Sequence, residues 1–237
     1  MSKVALITGG SGALGSAMVR CFHRENYETV FTYKTNAKRA KALADETGSL
    51  ALQAELTDAA QVKEVVRRTL ERHGQIDVLV NNVGFTQVMP FALIEEEDWD
   101  EVMAANLKTM FLVTRDVVRG MIGRKSGTIV NIGSLAGHRL LEVPVHYATA
   151  KAGVSGFTLS LAKELSRYNI RVNSVVPGLL DGGVGRMVPV KEMADYVAHC
   201  AAGRPGKTEE VAETVLFLAS EKAQYVNAQN IFVDGGI

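Results

Sequence analysis

Cysteine is scarce. Cys21 and Cys200 are the only two in 237 residues, they lie far apart, and they fit no metal-ligand spacing. That predicts two reduced thiols in a cytoplasmic protein and excludes a disulfide scaffold. No charge of either sign is in excess, since 26 Lys and Arg stand against 26 Asp and Glu. A dedicated nucleic-acid binder normally carries a basic surplus, so none is expected here. The balance leaves room for a small anionic ligand, and near-zero charge mildly favours self-association. Long apolar runs are missing as well. The opening stretch is too short in apolar residues for a secretory signal, and no segment is long and apolar enough to span a bilayer. The five histidines show no ligand spacing, which predicts no metal site. No linker, repeat or low-complexity segment interrupts the chain, so a single domain over residues 1–237 is expected. What is present is a globular balance. Hydrophobic residues make up 47%, too many for a disordered chain, and the length suffices to bury a core without staples.

Short apolar runs alternate with amphipathic stretches from end to end. Strands are predicted over Val4–Thr8, Thr29–Tyr33, Leu50–Ala54, Ile76–Val80, Thr128–Ile132, Ile170–Val176 and Asn230–Val233. Helices are predicted over Ala13–Glu25, Asn36–Thr47, Asp58 (as N-cap) to His73, Glu96–Ile122, His146–Arg167 and Thr208–Ala219. A Gly-rich loop with a short helix is predicted within Leu179–Ala202. Seven mostly apolar strands separated by helices mean a doubly wound α/β Rossmann fold: a parallel sheet with helices on both faces and right-handed crossovers. Ligands in such sheets bind beyond the carboxyl ends of the strands.

Thr8-Gly9-Gly10-Ser11-Gly12-Ala13-Leu14-Gly15 joins the first strand to the first helix. Glycines there allow a tight turn and let backbone N–H groups approach a phosphate, to which the helix dipole adds. An acidic residue at the end of the second strand would bind ribose hydroxyls and favour NAD. Instead Tyr33 stands there, followed by Lys34, Lys38 and Arg39. Cations beside a 2′-phosphate favour NADP, with the Ser11 hydroxyl as a further donor. Tyr147 and Lys151 lie four apart on a predicted helix and so share a face. A phenol is a poor acid–base catalyst at neutral pH, and a nearby ammonium lowers its pKa.

These motifs resemble the short-chain dehydrogenase/reductase family. Thr8, Gly9 and Gly15 match its Thr-Gly-x-x-x-Gly-x-Gly turn, with Ala13 in place of the middle glycine. Glu55-Leu56-Thr57-Asp58 resembles its Asp-Val-x-Asp, in which the first carboxylate accepts from the adenine amino group. Asn81-Asn82-Val83-Gly84 resembles its Asn-Asn-Ala-Gly, Asn81 bonding backbone across strands while Asn82 and Gly84 line the cofactor. Ser134 lies 13 residues before Tyr147, and Asn106 lies in the helix after the fourth strand, with Trp99 packing before it. The resemblance thus implies a catalytic tetrad of Asn106, Ser134, Tyr147 and Lys151. Tyr147 gives a proton to a carbonyl oxygen, Ser134 orients that oxygen, Lys151 lowers the tyrosine pKa and binds the nicotinamide ribose, and Asn106 holds a water. Pro177-Gly178-Leu179-Leu180 matches the segment against the nicotinamide. The family's threonine four residues after Gly178 is here Gly182, inside Asp181-Gly182-Gly183-Val184-Gly185, whose glycines suggest a mobile lid. The implied cofactor contacts are Gly9, Ser11, Gly12, Ala13, Leu14, Tyr33, Lys34, Glu55, Leu56, Asn82, Gly84, Tyr147, Lys151, Pro177, Gly178 and Leu180, with NADP(H) expected over NAD(H).

Gly203-Arg204-Pro205-Gly206-Lys207-Thr208-Glu209-Glu210, followed by Phe217-Leu218-Ala219-Ser220, looks most like 3-oxoacyl-(acyl-carrier-protein) reductases. The resemblance implies reduction of a small-molecule or carrier-bound 3-oxoacyl thioester, in fatty-acid or polyketide synthesis. It also implies a homotetramer (or homodimer) built through the long helices and the C-terminal elements, whose interface is trimmed by the end at Ile237. Leu140, Leu141, Val143, Pro144 and Val145 are expected to wall the substrate pocket, His146 to touch substrate, and Arg124, Lys125 and Arg167 to form a basic rim for an acidic carrier. The alternatives are another alcohol, sugar or steroid as substrate, or a non-catalytic relative kept for binding or assembly.

Overall fold

A computed structural model describes residues 2–183, 185, 188 and 190–237. Its seven strands, β1 (Val4–Ile7), β2 (Glu28–Tyr33), β3 (Leu50–Gln53), β4 (Val78–Asn81), β5 (Gly127–Ile132), β6 (Ile170–Pro177) and β7 (Asn230–Val233), form one sheet in the order β3-β2-β1-β4-β5-β6-β7. Every pairing is parallel, with Leu6 between Val30 and Leu79 and Val130 between Val80 and Asn173. The order reverses between β1 and β4, which opens a crevice at their carboxyl ends.

Both faces of the sheet are covered, which is why its strands are apolar at consecutive positions. Ala5, Ile7, Val78, Val80 and Val130 pack with helices α1 (Ala13–Arg24), α2 (Ala37–Thr47) and, near the chain's end, Thr208–Ala219. Their alternates Leu6, Leu79 and Ile129 pack on the other face with α3 (Ala59–His73) and with two long helices described below. A one-residue slip would exchange these two sets. Truncating one of these fully buried side chains, such as Leu6 or Leu79, would cost about 2–5 kcal/mol.

Local signals set the helix ends. Asp58 accepts from Ala60 N at 2.8 Å and caps α3, while Asn36 accepts from Arg39 N and caps α2. Gly48 and Gly74 close the same helices with φ of 67° and 79°, a left-handed backbone that glycine adopts without a β-carbon penalty. Two expectations shift. β4 begins at Val78; Asp77 before it still pairs its backbone with Val4 O and Thr128 N, and its carboxylate accepts from Val4 N at 2.8 Å. The single helix expected over Glu96–Ile122 is α4 (Glu96–Met103), a π turn (Ala104–Lys108) and α5 (Thr109–Arg124). Asn106 makes that turn: its Nδ2 donates to Val102 O at 2.8 Å, taking the carbonyl that an α-helix would give to its own amide.

Helix α6 (Val145–Leu165) precedes β6, and α7 (Val190–His199) and α8 (Thr208–Ala219) lie between β6 and β7. Val184, within the expected lid, lies outside the described residues. No described helix is long and apolar enough to cross a membrane.

The expected basic rim is not found around this chain's own cleft. Arg124 ends α5 and donates to Ile76 O at 2.6 Å, Lys125 caps that helix, and Arg167 lies in the turn before β6. All three immediately precede strands, so in a parallel sheet they stand at the edge opposite the crevice.

Candidate active site

A cleft of about 1340 Å³ runs along the carboxyl ends of the strands. Single-ligand pockets usually hold about 300–1,000 Å³, so this one has room for a dinucleotide and a second molecule. Each of the sixteen cofactor contacts expected from the sequence lines it, from Gly9 to Leu180.

One end is a rigid turn. Thr8 N donates to Val80 O (3.0 Å) and Gly10 N to Thr32 O (2.9 Å), bolting the turn to the neighbouring strands. Asn82 Nδ2 reaches across to Thr8 O at 2.9 Å, and Thr8 Oγ1 accepts from Asn82 N at 2.9 Å. Gly9 takes φ 68°. A β-carbon at Gly15 would collide with Gly9 O and stand 2.8 Å from Gly10 Cα. Gly12 caps α1 with no side-chain bond, so the first-turn N–H groups of α1 face the cleft for an anion. The methyl of Ala13 is accommodated because Gly182 faces it: a β-carbon at 182 would lie 3.2 Å from Ala13 Cβ. Two of the departures from the family pattern, Ala13 and Gly182, thus face each other.

Beside this turn, Lys34 Nζ pairs with Glu55 Oε2 at 2.6 Å. Glu55 Oε1 is held by Thr57 N and Oγ1 at 3.1 and 2.9 Å. The ammonium holds the Glu55 carboxyl below its usual range, and the carboxylate raises Lys34. Two groups expected to meet different parts of a cofactor thus meet each other first.

Ser134, Tyr147 and Lys151 line the cleft close together. Burial raises the Tyr147 pKa, and a hydrogen bond with Ser134 pulls it partly back. Lys151 is fully buried, donates to Ile132 O at 3.0 Å, and is pushed down to about 8 by desolvation. The expectation that Lys151 depresses the tyrosine is not met here. The ammonium is spent on a carbonyl and lies 5.8 Å from the ring centroid, so desolvation of the phenol prevails. Asn106 stands behind the wall, not in the cleft. Its Nδ2 donates to Phe85 O (2.7 Å) as well as Val102 O. A β-carbon at Gly84 would meet both Asn106 Oδ1 and Lys151 Nζ at 3.2 Å, so Gly84 lets these two residues close up.

Other expectations change. Asn81 bonds side chains, not backbone: its Nδ2 donates to Thr114 Oγ1 and Asn131 Oδ1, both at 2.9 Å. This follows from its place in a strand whose backbone is already paired on both sides. His146 is fully buried, with Nδ1 accepting from Tyr147 N at 3.0 Å, and does not line the cleft. Leu140, Leu141 and Val143 wall the cleft, but Pro144 and Val145 do not, because they begin α6.

The sequence reading missed two helical stripes. Asp100, Glu101, Ala104, Ala105 and Lys108 line one side of the cleft, and Glu192, Asp195, Tyr196 and His199 another. Both follow helical spacing, and polar stripes of that period near the strand ends were the available signal. The Arg204-to-Glu210 motif is structural. Arg204 donates twice to Glu210 (2.9 and 2.5 Å), whose carboxylate also accepts from Lys207 N at 2.7 Å. This seals the turn before α8 and lays Gly206 against Leu179 and Asp181.

A family profile described as enoyl-(acyl carrier protein) reductase matches residues 10–237. A 3-oxoacyl-(acyl-carrier-protein) reductase from Thermotoga maritima is 40% identical, over 99% of this chain and 97% of that one. The Escherichia coli protein of the same name is 33% identical over the same shares. A solved Serratia marcescens short-chain dehydrogenase/reductase, a double mutant, superposes with a TM-score of 0.92 at 32% identity, covering 99% of this chain and 97% of that one.

Proposed function

The chain belongs to the short-chain dehydrogenase/reductase family, and on that premise we propose that it is an NADPH-dependent reductase of 3-oxoacyl thioesters carried by an acyl carrier protein. The observation that carries the reading is the convergence of Ser134, Tyr147 and Lys151 in a cleft whose other end is an open helix start. The names of its relatives support the substrate class. So does the apolar wall of Leu140, Leu141 and Val143, which suits an acyl chain.

The fit to a dinucleotide rests on steric grounds. The cradle at Gly9–Gly15 has no room for β-carbons at Gly10 or Gly15, and its free N–H groups match a pyrophosphate. Asn82 holds this turn in shape, and Gly84, Glu55, Leu56 and Leu14 line the way along it. The end of β2 bears no carboxylate to bind ribose hydroxyls. Lys34 supplies the cation for a 2′-phosphate, which supports NADP(H), and exchanges Glu55 for that phosphate on binding. When bound, the dinucleotide supplies a hydride to the carbonyl carbon. Tyr147 Oη gives its proton to the carbonyl oxygen. Its raised pKa suits this direction of reaction, because the phenol is fully protonated at neutral pH. Ser134 Oγ donates to the same oxygen, and Lys151 turns its charge from Ile132 O toward the ribose and the proton path. Asn106 holds the π turn that lets Lys151 and Gly84 approach. One domain provides both binding regions.

The exposed Phe111 and Leu159 on α5 and α6, and Phe217 and Phe232 on α8 and β7, support a homotetramer or homodimer through those elements. The two free, buried cysteines accord with the cytoplasm. The test is NADPH oxidation, followed by absorbance, with an acetoacetyl thioester, beside NADH and beside Tyr147→Phe and Lys34→Ala. Turnover is expected to prefer NADPH, to vanish in Tyr147→Phe, and in Lys34→Ala to lose roughly tenfold in kcat/KM for NADPH alone. No turnover despite NADPH binding overturns the substrate class, and failure to bind either cofactor overturns the reductase reading.

A further inference from the structure

Tyr196 belongs to no motif, yet its hydroxyl ties three elements together. It lies on α7, accepts from Leu179 N at 3.0 Å and donates to Asp234 O at 3.1 Å. The stretch Gly178–Asp181 is otherwise sewn down by backbone. Gly178 N donates to Val233 O (3.0 Å), Leu179 O accepts from Gly206 N (2.9 Å), and Asp181 N donates to Gly206 O (3.0 Å). The Leu179 amide turns instead to the tyrosine. The approach is close: a β-carbon at Gly178 would collide with the Tyr196 hydroxyl and stand 2.8 Å from Asp234 Cα.

Helix α7 buries none of its own residues from Val190 to His199. Among the described residues, its hydrogen bonds to the rest of the molecule lie on one face at its C-terminal end. There Tyr196 is joined, four residues on, by Cys200, whose Sγ lies 3.3 Å from Gly235 O and 3.6 Å from Asp234 O. The side chain the family pattern would place at 182 is absent, so nothing from that position steadies the stretch from within.

We propose that Tyr196 is a positioning residue: its hydroxyl sets the height of Gly178–Leu179, the floor beside the reacting carbonyl, and locks α7 to that floor. The proposal rests on the cofactor reading above, which puts Pro177, Gly178 and Leu180 beside the nicotinamide. Burial raises the phenol's pKa, so the donor to Asp234 stays protonated across neutral pH and the lock is insensitive to it.

Tyr196→Phe keeps the ring and removes only the hydroxyl. Hydrogen–deuterium exchange at the Leu179 amide is expected to quicken at least about tenfold, with the melting temperature and exchange at Leu6 unchanged. With the acetoacetyl thioester, kcat is expected to fall roughly tenfold, the deuterium isotope effect from labelled NADPH to rise, and the Kd for NADPH to stay within about twofold. The fluorescence of bound NADPH is expected to move toward that of free NADPH. Should Tyr196→Phe not fold, Cys200→Ala, which loosens the same face of α7 from outside the cleft lining, has to quicken exchange at Leu179 and give the same split between kcat and Kd. Unchanged exchange at Leu179 overturns the proposal. Faster exchange with kcat, isotope effect and fluorescence unchanged overturns it equally. If the wild-type enzyme does not turn over the thioester, the substrate reading fails, while exchange and NADPH fluorescence still decide the role of Tyr196.

Discussion

The two walls of the cleft are built by different means. The Thr8–Gly15 turn is bolted to β2 and β4 by backbone hydrogen bonds and clamped by Asn82. At Gly10 and Gly15 no β-carbon fits, and Gly9 takes a left-handed φ. The facing wall, along Leu179–Asp181 and α7, is joined among the described residues to β7 through Gly178 N and Val233 O and is held by Tyr196, Cys200 and the Gly206 strap. Its Gly182 marks spare room taken by the Ala13 methyl. Glycine thus does opposite work on the two sides. In the turn it permits contact between backbones, and opposite it yields space to a neighbour. A glycine's meaning lies in what its missing β-carbon would meet, so the cost of filling it should differ sharply between the walls.

The sharpest way to break that contrast is to add one methyl on each side. Gly15→Ala is expected to destabilise the protein by about 3 kcal/mol, lowering the melting temperature by roughly 10 °C and abolishing NADPH binding in calorimetry. Gly182→Ala is expected to leave the melting temperature within about 2 °C. Equal losses would show that the walls do not differ as described.

A second test probes what lies between the walls. Burial pushes Lys151 down from its ordinary 10.5 to about 8, so folding disfavours its charged form. That cost is fully present below pH 8, where the lysine is charged folded and unfolded, and it is relieved as pH rises from about 8 to 10.5. Lys151→Met is therefore expected to melt higher than wild type at pH 6–7, with the gap closing toward pH 10, while being inactive. In the same frame, wild-type reduction should fall as pH rises through about 8, as Lys151 loses its charge. Tyr147, raised by burial, stays protonated there. A pH profile flat to 10 would remove Lys151 from the reaction.

The smallest effect tests the steric pairing across the cleft. Gly182→Thr is expected to raise the KM for NADPH about fivefold by pressing on Ala13. Adding Ala13→Gly should recover most of the loss, a coupling of about 1 kcal/mol. Additive losses would separate the two positions.

Much of this was readable in one dimension. Alternating apolar runs and turn signals implied the parallel sheet, because strands buried on both faces must be apolar throughout. The sixteen residues expected to meet a cofactor all line the cleft because most sit at strand ends and in the turns that follow them, and Tyr147 and Lys151 share one face of a helix. The π turn at Asn106 was not legible, since the amide that takes the Val102 carbonyl is also held by the distant Phe85 carbonyl. Nor was the role of Tyr196 legible, though its place in a polar stripe was, because its partners at 179 and 234 follow two different strands. The basic rim failed for a related reason. Arg124, Lys125 and Arg167 look near the motifs in sequence, but each precedes a strand where the motifs follow one, and a strand's length separates the two ends.

By itself the sequence determined what depends on local geometry: the strand and helix periods, the glycine turn, and Tyr147 and Lys151 on one helical face. Only the tertiary structure decided how these meet. It set Ala13 against Gly182, turned Lys34 to Glu55, buried Lys151 on the Ile132 carbonyl, and brought Tyr196 over Leu179. The reason is physical. Local order follows from backbone sterics and spacing within a few residues, whereas desolvation, charge pairing and packing gaps depend on which distant atoms share the same small volume.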